Sequence, residues 1–223
     1  VGEVVGIVGL NNEEKNINRT LDALLDLQKE KKYNFELIPV NDGSKDKTWD
    51  VIKEYATKHD QIRGVNLMGN FGLSQAYQAG FDTSTGDYVI VLAADLEIPI
   101  KNVSKVIEYL DEGYDFVNTN REGRWNDAGR KVGTSGANAL VSKVAGIEVK
   151  DLGSGLKGFT RVLIDNIVLY GEMHRFIPAL AKMHRAKMVE FDVEFKDRDF
   201  GTSAYKGQKR MIKVALDLST LWF

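Results

Sequence analysis

Short β-branched runs alternate with amphipathic stretches through the first half of the chain. The runs cover residues 4–8, 35–40, 64–67, 88–92 and 116–119. Between them Ile17, Leu21, Leu24, Leu25 and Gln28 keep a 3.6-residue spacing, as do Val51, Ile52 and Tyr55, and again Val103, Val106, Ile107 and Leu110. Strand followed by helix followed by strand predicts βαβ units: an α/β fold with a mostly parallel, Rossmann-like sheet flanked by helices. Crossovers of uniform hand bring the carboxyl ends of the strands to one edge, where open α/β sheets bind ligands. That edge carries Asn11-Asn12-Glu13-Glu14, Asn41-Asp42-Gly43-Ser44 and Ala93-Ala94-Asp95-Leu96-Glu97, polar oxygen gathered at the ends of valine-lined strands.

The second half is less regular. A Gly/Arg/Lys-rich passage covers 121–136, a Gly-rich turn 153–158, a helical stretch 176–184 and a strand 187–195. No linker, internal repeat or low-complexity tract divides it, so residues 1–205 read as one domain. From 206 to 223, Met211, Val214, Ala215, Leu218, Leu221 and Trp222 share a helical face, with Lys206, Lys209, Arg210 and Lys213 on or beside the other. Core packing explains such a stripe; so does a basic helix lying on an anionic membrane surface.

Composition narrows the classes. With 223 residues, 43% apolar, the chain buries a sizeable core and is not disordered. Thirty Lys+Arg against 32 Asp+Glu give a net charge of −2, so no overall basic field holds nucleic acid, and any polyanion site is local. No cysteine is present, which excludes disulfide scaffolds, thiolate zinc sites and cysteine nucleophiles. No apolar run approaches the roughly 20 residues of a membrane span, and no signal peptide opens the chain. The start at Val1 and the apolar end Leu221-Trp222-Phe223 suggest a fragment cut ahead of transmembrane helices.

Several residues carry candidate chemistry. Asp42, at a strand's carboxyl end, suits hydrogen bonds from a nucleotide base or ribose, although the same stretch also reads as a plain turn with a helix cap. Asp95 and Glu97 stand two apart after an apolar run, so in extended chain both carboxylates face one way. Two hard oxygen donors suit Mg²⁺ or Mn²⁺, whose shells are completed by phosphate and water; a solvated loop is the plainer alternative. Arg121, Arg124, Arg130 and Lys131 form one basic segment, and Arg198 with Lys206 another. Beside an acidic metal site, they would satisfy a diphosphate and a second phosphate. Gly153-Ser154-Gly155-Leu156-Lys157-Gly158 matches GxGxxG but lies too late in the chain for a dinucleotide fingerprint. His59, His174 and His184 lack metal-ligand spacing, and His174 reads as structural or positioning.

Taken together the motifs resemble family 2 glycosyltransferases, in the dolichol-phosphate mannose synthase and polyprenyl-phosphate glucosyltransferase branch. The residues are Asn11 to Ile17, Asn41 to Asp46, Asn70-Phe71-Gly72, Ala79-Gly80-Phe81, Gly86-Asp87-Tyr88, Asp95-Leu96-Glu97, Ser154-Gly155-Leu156-Lys157, His174-Arg175-Phe176, and Arg198 with Gly201 to Tyr205. Their order spans nearly the whole chain. The resemblance implies a GT-A fold, a UDP- or GDP-linked sugar donor, Mg²⁺ or Mn²⁺, and inversion at the anomeric carbon. It implies a polyprenyl phosphate acceptor, the cytoplasmic face of the cell membrane, and a membrane contact through the C-terminal helix, with room for a homo-oligomer. By position, Asp42, Asn11, Glu13 and Ala94 fall in the nucleotide pocket, Asp95 and Glu97 on the metal site, and Arg121 and Arg130 on phosphate clamps. Arg198 and Ser203 are similar to residues that hold donor or acceptor phosphate.

Two departures stand out. The family's Asp-x-Asp is here Ala93-Ala94-Asp95, and the glutamine that commonly follows is Glu97, whose charge would replace the one lost at Ala93. Asn41 takes the first acidic place of Asp-Asp-Gly-Ser. A polyprenyl phosphate is already ionised near neutral pH, its second pKa being about 6, so no general base is required. On this basis Arg121→Ala and Arg198→Ala are each expected to lower turnover strongly without unfolding the domain. The alternatives are a transferase with a saccharide acceptor, which would need a base, and a non-catalytic nucleotide-sugar-binding module, suggested by Ala93.

Overall fold

The computed structural model describes residues 2–122 and 149–196. The basic positions Arg124, Arg130 and Lys131, the C-terminal motif with Arg198 and Ser203, and the helix expected over 206–223 lie outside the described residues.

The first half follows the βαβ order: β1 (Val4–Leu10), α1 (Ile17–Lys31), β2 (Phe35–Asn41), α2 (Thr48–Lys58), β3 (Val65–Asn66), α3 (Leu73–Thr83), β4 (Tyr88–Ala93), α4 (Asn102–Asp111) and β5 (Phe116–Glu122). The second half adds β6 (Lys157–Thr160), α5 (Arg161–Ile164), a 3₁₀ turn (Met173–Arg175), α6 (Ile177–Met183) and β7 (Met188–Glu194). The strands make one seven-stranded sheet in the order β3-β2-β1-β4-β6-β5-β7. All pairings are parallel except those of β6, which runs antiparallel to both β4 and β5.

β1 is buried along both faces except at Gly9, as a strand covered by helices on each side must be. One apolar layer joins the sheet to α1, α2 and α4 through Leu21, Leu24, Ile52, Val103, Val106 and Leu110. The opposite layer joins it to α3, α5 and α6 through Tyr77, Phe81, Phe159, Leu163, Ile177 and Ala181.

Two elements differ from the sequence expectation. The Gly-rich stretch 153–158 is not all turn, because from Lys157 it enters β6 and fills the gap between β4 and β5. Helix α3 is not marked by aliphatic residues at helical spacing; its buried side combines the small Ser74, Ala76 and Gly80, which let it lie close on β1 and β2, with the aromatic Tyr77 and Phe81.

Candidate active site

Strand order reverses between β1 and β4, so the loops leaving their carboxyl ends diverge and open a crevice there. Asn11, Glu13, Asp42, Asp95 and Glu97 all lie on loops that begin at this edge.

The loop after β1 is tied to the start of α2. Asn12 N–H donates to Ser44 Oγ at 2.9 Å, Glu13 N–H to Thr48 Oγ1 at 2.9 Å, and Lys45 N–H to Asn12 Oδ1 at 2.8 Å. Asn11 Nδ2 donates to the Asp42 carbonyl at 2.6 Å, and the Glu13 carboxylate accepts from Asn16 Nδ2 at 2.7 Å. Asp42 is only 4% exposed. Its carboxylate grips the entrance of α3, Oδ1 accepting Phe71 N–H at 2.7 Å and Oδ2 accepting Gly72 N–H at 2.9 Å. A carboxylate accepts about four hydrogen bonds, so two places remain for a ligand's donors. Gly43 makes this grip sterically feasible. At φ +61° a Cβ there would stand 2.3 Å from the Gly69 carbonyl carbon, so only glycine lets the two loops meet backbone to backbone.

The acidic segment after β4 is a turn rather than extended chain, since Leu96 adopts φ +53°. Within the turn Asp95 Oδ1 accepts the Glu97 backbone N–H at 3.2 Å, while the Glu97 carboxylate stands 3.5 Å from Arg121 Nη1. Ala93 N–H donates to the Gly155 carbonyl at 3.0 Å, and Ala94 is buried with its carbonyl receiving the Thr20 hydroxyl at 2.8 Å. Asp95 and Glu97 place two carboxylate side chains on one partly exposed turn, and hard oxygen donors of that kind are chemically suited to Mg²⁺ or Mn²⁺. Among the described residues no cluster of three or more metal-ligating side chains exists, so a substrate would have to share the coordination.

Arg121 lies behind that turn. It is 5% exposed and forms a two-pronged pair with Asp151, Nε to Oδ2 at 2.6 Å and Nη2 to Oδ1 at 2.9 Å. Its Nη1 stands 3.5 Å from Glu97 Oε2. Asp151 is itself fixed: Glu190 accepts the N–H groups of Lys150 and Asp151, and Asn118 Nδ2 donates to the Asp151 carbonyl at 3.0 Å. Nothing local marks Asp151 or Glu190 as partners of the site, since their roles come from packing across β5 and β7.

Two further buried groups complete the surroundings. Lys157, at the start of β6, donates to the Ser154 carbonyl, and burial pulls its pKa from 10.5 down to about 7 against the upward pull of Asp151. His174 bridges to α3. Its backbone N–H donates to Ser74 Oγ at 3.0 Å and its Nδ1 lies 2.9 Å from the same oxygen. The Ser74 hydroxyl, with one proton and two lone pairs, can take the backbone N–H and still share a proton with Nδ1. Burial, followed by the charges of Arg175 and Lys157, drives the His174 pKa down to about 3, so it stays neutral and pins α3 to the 3₁₀ turn. Arg130, Arg198 and Ser203 lie outside the described residues.

A mostly parallel seven-stranded sheet flanked by helices, with Asp42 after β2 and an acidic turn after β4, has the GT-A fold. Solved structures agree on that fold: glucosyl-3-phosphoglycerate synthase from Mycobacterium tuberculosis superposes with a TM-score of 0.71 at 18% identity, over 99% of this chain and 79% of the other. A mannosyltransferase from Pyrobaculum calidifontis, solved with GDP-Man and Mn²⁺, gives 0.67 at 17%, over 99% and 63%. The family model for Glycosyl transferase family 2 matches residues 7–168. The undecaprenyl-phosphate 4-deoxy-4-formamido-L-arabinose transferase of Photorhabdus laumondii is 32% identical over 221 residues, 99% of this chain and 68% of the relative. Its Pectobacterium atrosepticum counterpart is 34% identical over 219 residues, 96% and 65%. The chain belongs to glycosyl transferase family 2, and spans about two thirds of the length of these relatives.

Proposed function

We propose that this chain moves a hexose from a UDP- or GDP-linked donor to a polyprenyl phosphate at the cytoplasmic face of the cell membrane, with inversion at the anomeric carbon. The observation that carries the reading is the turn bearing Asp95 and Glu97, set against buried Arg121 at the edge where strand order reverses. The acceptor class is supported by relatives whose names give undecaprenyl phosphate as acceptor. A divalent cation is supported by neighbours solved with Mn²⁺, including one that also holds UDP and phosphoglyceric acid.

Each part of the crevice has a task. Asn11, Glu13 and Asp42 hold the nucleoside, beside the buried Ala94. Asp95 and Glu97 would hold Mg²⁺ or Mn²⁺, which neutralises the departing diphosphate when bound. Arg121 Nη1, which Asp151 does not engage, is the edge of that guanidinium that can turn to a phosphate oxygen. Arg130, Arg198 and Ser203 are assigned to the anionic reactants, and the basic, apolar segment 206–223 to the membrane surface. An oxygen of the acceptor phosphate attacks the anomeric carbon as the bond to the diphosphate breaks, and the nucleoside diphosphate leaves. The attacking oxygen carries no proton at neutral pH, so the site's work is alignment and charge neutralisation.

A second reading, a non-catalytic nucleotide-sugar-binding module, is favoured by Ala93. Its methyl group lies where a Cβ on Gly155 would come within 2.8 Å, so the place of the first family acid is occupied by close packing. One series separates the two. UDP and GDP binding are titrated with and without Mn²⁺ on wild type, Glu97→Gln and Ala93→Asp, alongside transfer to a short polyprenyl phosphate and to saccharides. Wild-type transfer to lipid phosphate, with a cation enhancement of nucleotide binding that Glu97→Gln weakens, supports the proposal. Transfer only by Ala93→Asp supports the module, and lack of any cation enhancement removes the metal assignment.

A further inference from the structure

Among the described residues, Phe35, Phe81, Phe116, Phe159, Phe176 and Phe191 are buried, at 6% exposure or less, whereas Phe71 is 60% exposed. Burying a phenylalanine is worth about 1.5–3 kcal/mol, so an exposed ring on a loop held by Asp42 offers that gain to whatever binds beside the carboxylate. The loop is well held. Phe71 N–H and Gly72 N–H close the two hydrogen bonds to Asp42, and the Gly69–Asn70 peptide packs on Gly43. The ring folds back over this loop, its edge 3.8 Å from the point where a Cβ on Gly69 would stand. The backbone that carries this exposed ring is therefore fixed to Asp42, which lowers the entropic cost of using the ring as a contact surface.

The two residues divide the work. Asp42, at 4% exposure and with one N–H already on each oxygen, can orient a donor but offers little contact area. Phe71 has the area and lacks the polarity. A flat heterocycle carrying N–H or O–H donors satisfies both at once. We propose that Phe71 is the base-stacking residue of the donor pocket, its exposed face receiving the nucleobase whose N–H or ribose hydroxyl Asp42 accepts. The inference rests on the reading of Asp42 as the nucleotide-binding acid.

The test measures the dissociation constants of UDP, GDP and inorganic pyrophosphate, each with Mn²⁺, for the full chain as wild type, Phe71→Ala and Phe71→Trp. Stacking on an aromatic side chain predicts that Phe71→Ala weakens both nucleotides between about fivefold and about a hundredfold. Pyrophosphate should bind unchanged, and Phe71→Trp should recover most of the loss. Saturation-transfer NMR should show contact with the base protons in wild type and none in Phe71→Ala. Unchanged nucleotide affinity in Phe71→Ala overturns the stacking role, as does equal weakening of pyrophosphate, which would report a displaced loop. Folded wild type that binds neither nucleotide overturns the donor reading itself, an outcome distinct from both.

Discussion

Removing Arg121 tests the stability of the site's back wall. The guanidinium makes contacts of 2.6 and 2.9 Å with Asp151, and the two residues are 5% and 1% exposed. In Arg121→Ala the Asp151 carboxylate keeps the Gly153 N–H at 3.1 Å and the backbone N–H of position 121 at 3.4 Å, but loses the guanidinium paired with it. Breaking a buried pair by deleting one partner costs about 3–5 kcal/mol, against a total stability of about 5–15 kcal/mol for a typical domain. At about 2–4 °C per kcal/mol for a chain of this size, the midpoint falls by about 6–20 °C. Asp151→Ala should lose a similar amount by exposing the opposite charge. The double variant Arg121→Met/Asp151→Leu leaves neither member of the pair without the other and should recover much of the loss, giving a non-additive cycle. Urea unfolding followed by circular dichroism on the four proteins decides it. Single variants within about 1 kcal/mol of wild type, or a double variant equal to their sum, would refute the pairing argument. The sequence alone predicts an Arg121→Ala protein that folds normally and turns over slowly. The buried pair predicts one that is substantially less stable as well, so its turnover must be measured on the folded fraction.

Gly43→Ala should destabilise by at least about 1–2 kcal/mol from the left-handed φ alone, with the contact on Gly69 added. Because that contact holds the loop Asp42 grips, nucleotide affinity should fall with it, and a Gly43→Ala protein with wild-type urea midpoint and UDP affinity would contradict the backbone contact. Lys157 gives a pH signature. Its folded pKa is about 7 against 10.5 unfolded, so between those values the unfolded chain binds the extra proton and stability rises with pH. The gap between wild type and Lys157→Met should therefore shift in favour of wild type by up to about 1.4 kcal/mol per pH unit across that window, and stay level below it. Parallel stability curves from pH 6 to 10 would show that Lys157 keeps its ordinary proton affinity.

Much of the scaffold was legible in the chain itself. Runs of β-branched residues such as Val4 to Val8 and Val89 to Leu92 can only be strands covered on both faces, and the helical spacing of Val103, Val106, Ile107 and Leu110 places α4. Their alternation leads to a parallel sheet, and the sheet brings Asp42 and Asp95 to one edge. Helix α3 escaped notice because three of its five buried positions are Ser74, Ala76 and Gly80, which leave only Tyr77 and Phe81 to mark the buried face. Strand β6 was hidden by glycines that look like a turn and by Lys157, a charge in the interior of a sheet.

What the amino-acid sequence determined by itself was local: strand, helix, turn and the edge where the acids collect, because period and turn chemistry act over a few residues. Tertiary structure alone decided how those acids are employed. Asp42 holds the Phe71–Gly72 backbone 29 and 30 positions away, and Arg121 is claimed by Asp151 30 positions on and approached by Glu97 from another loop. Such pairings depend on which loops the packed sheet places side by side, and a buried charge takes whatever partner that packing brings within reach.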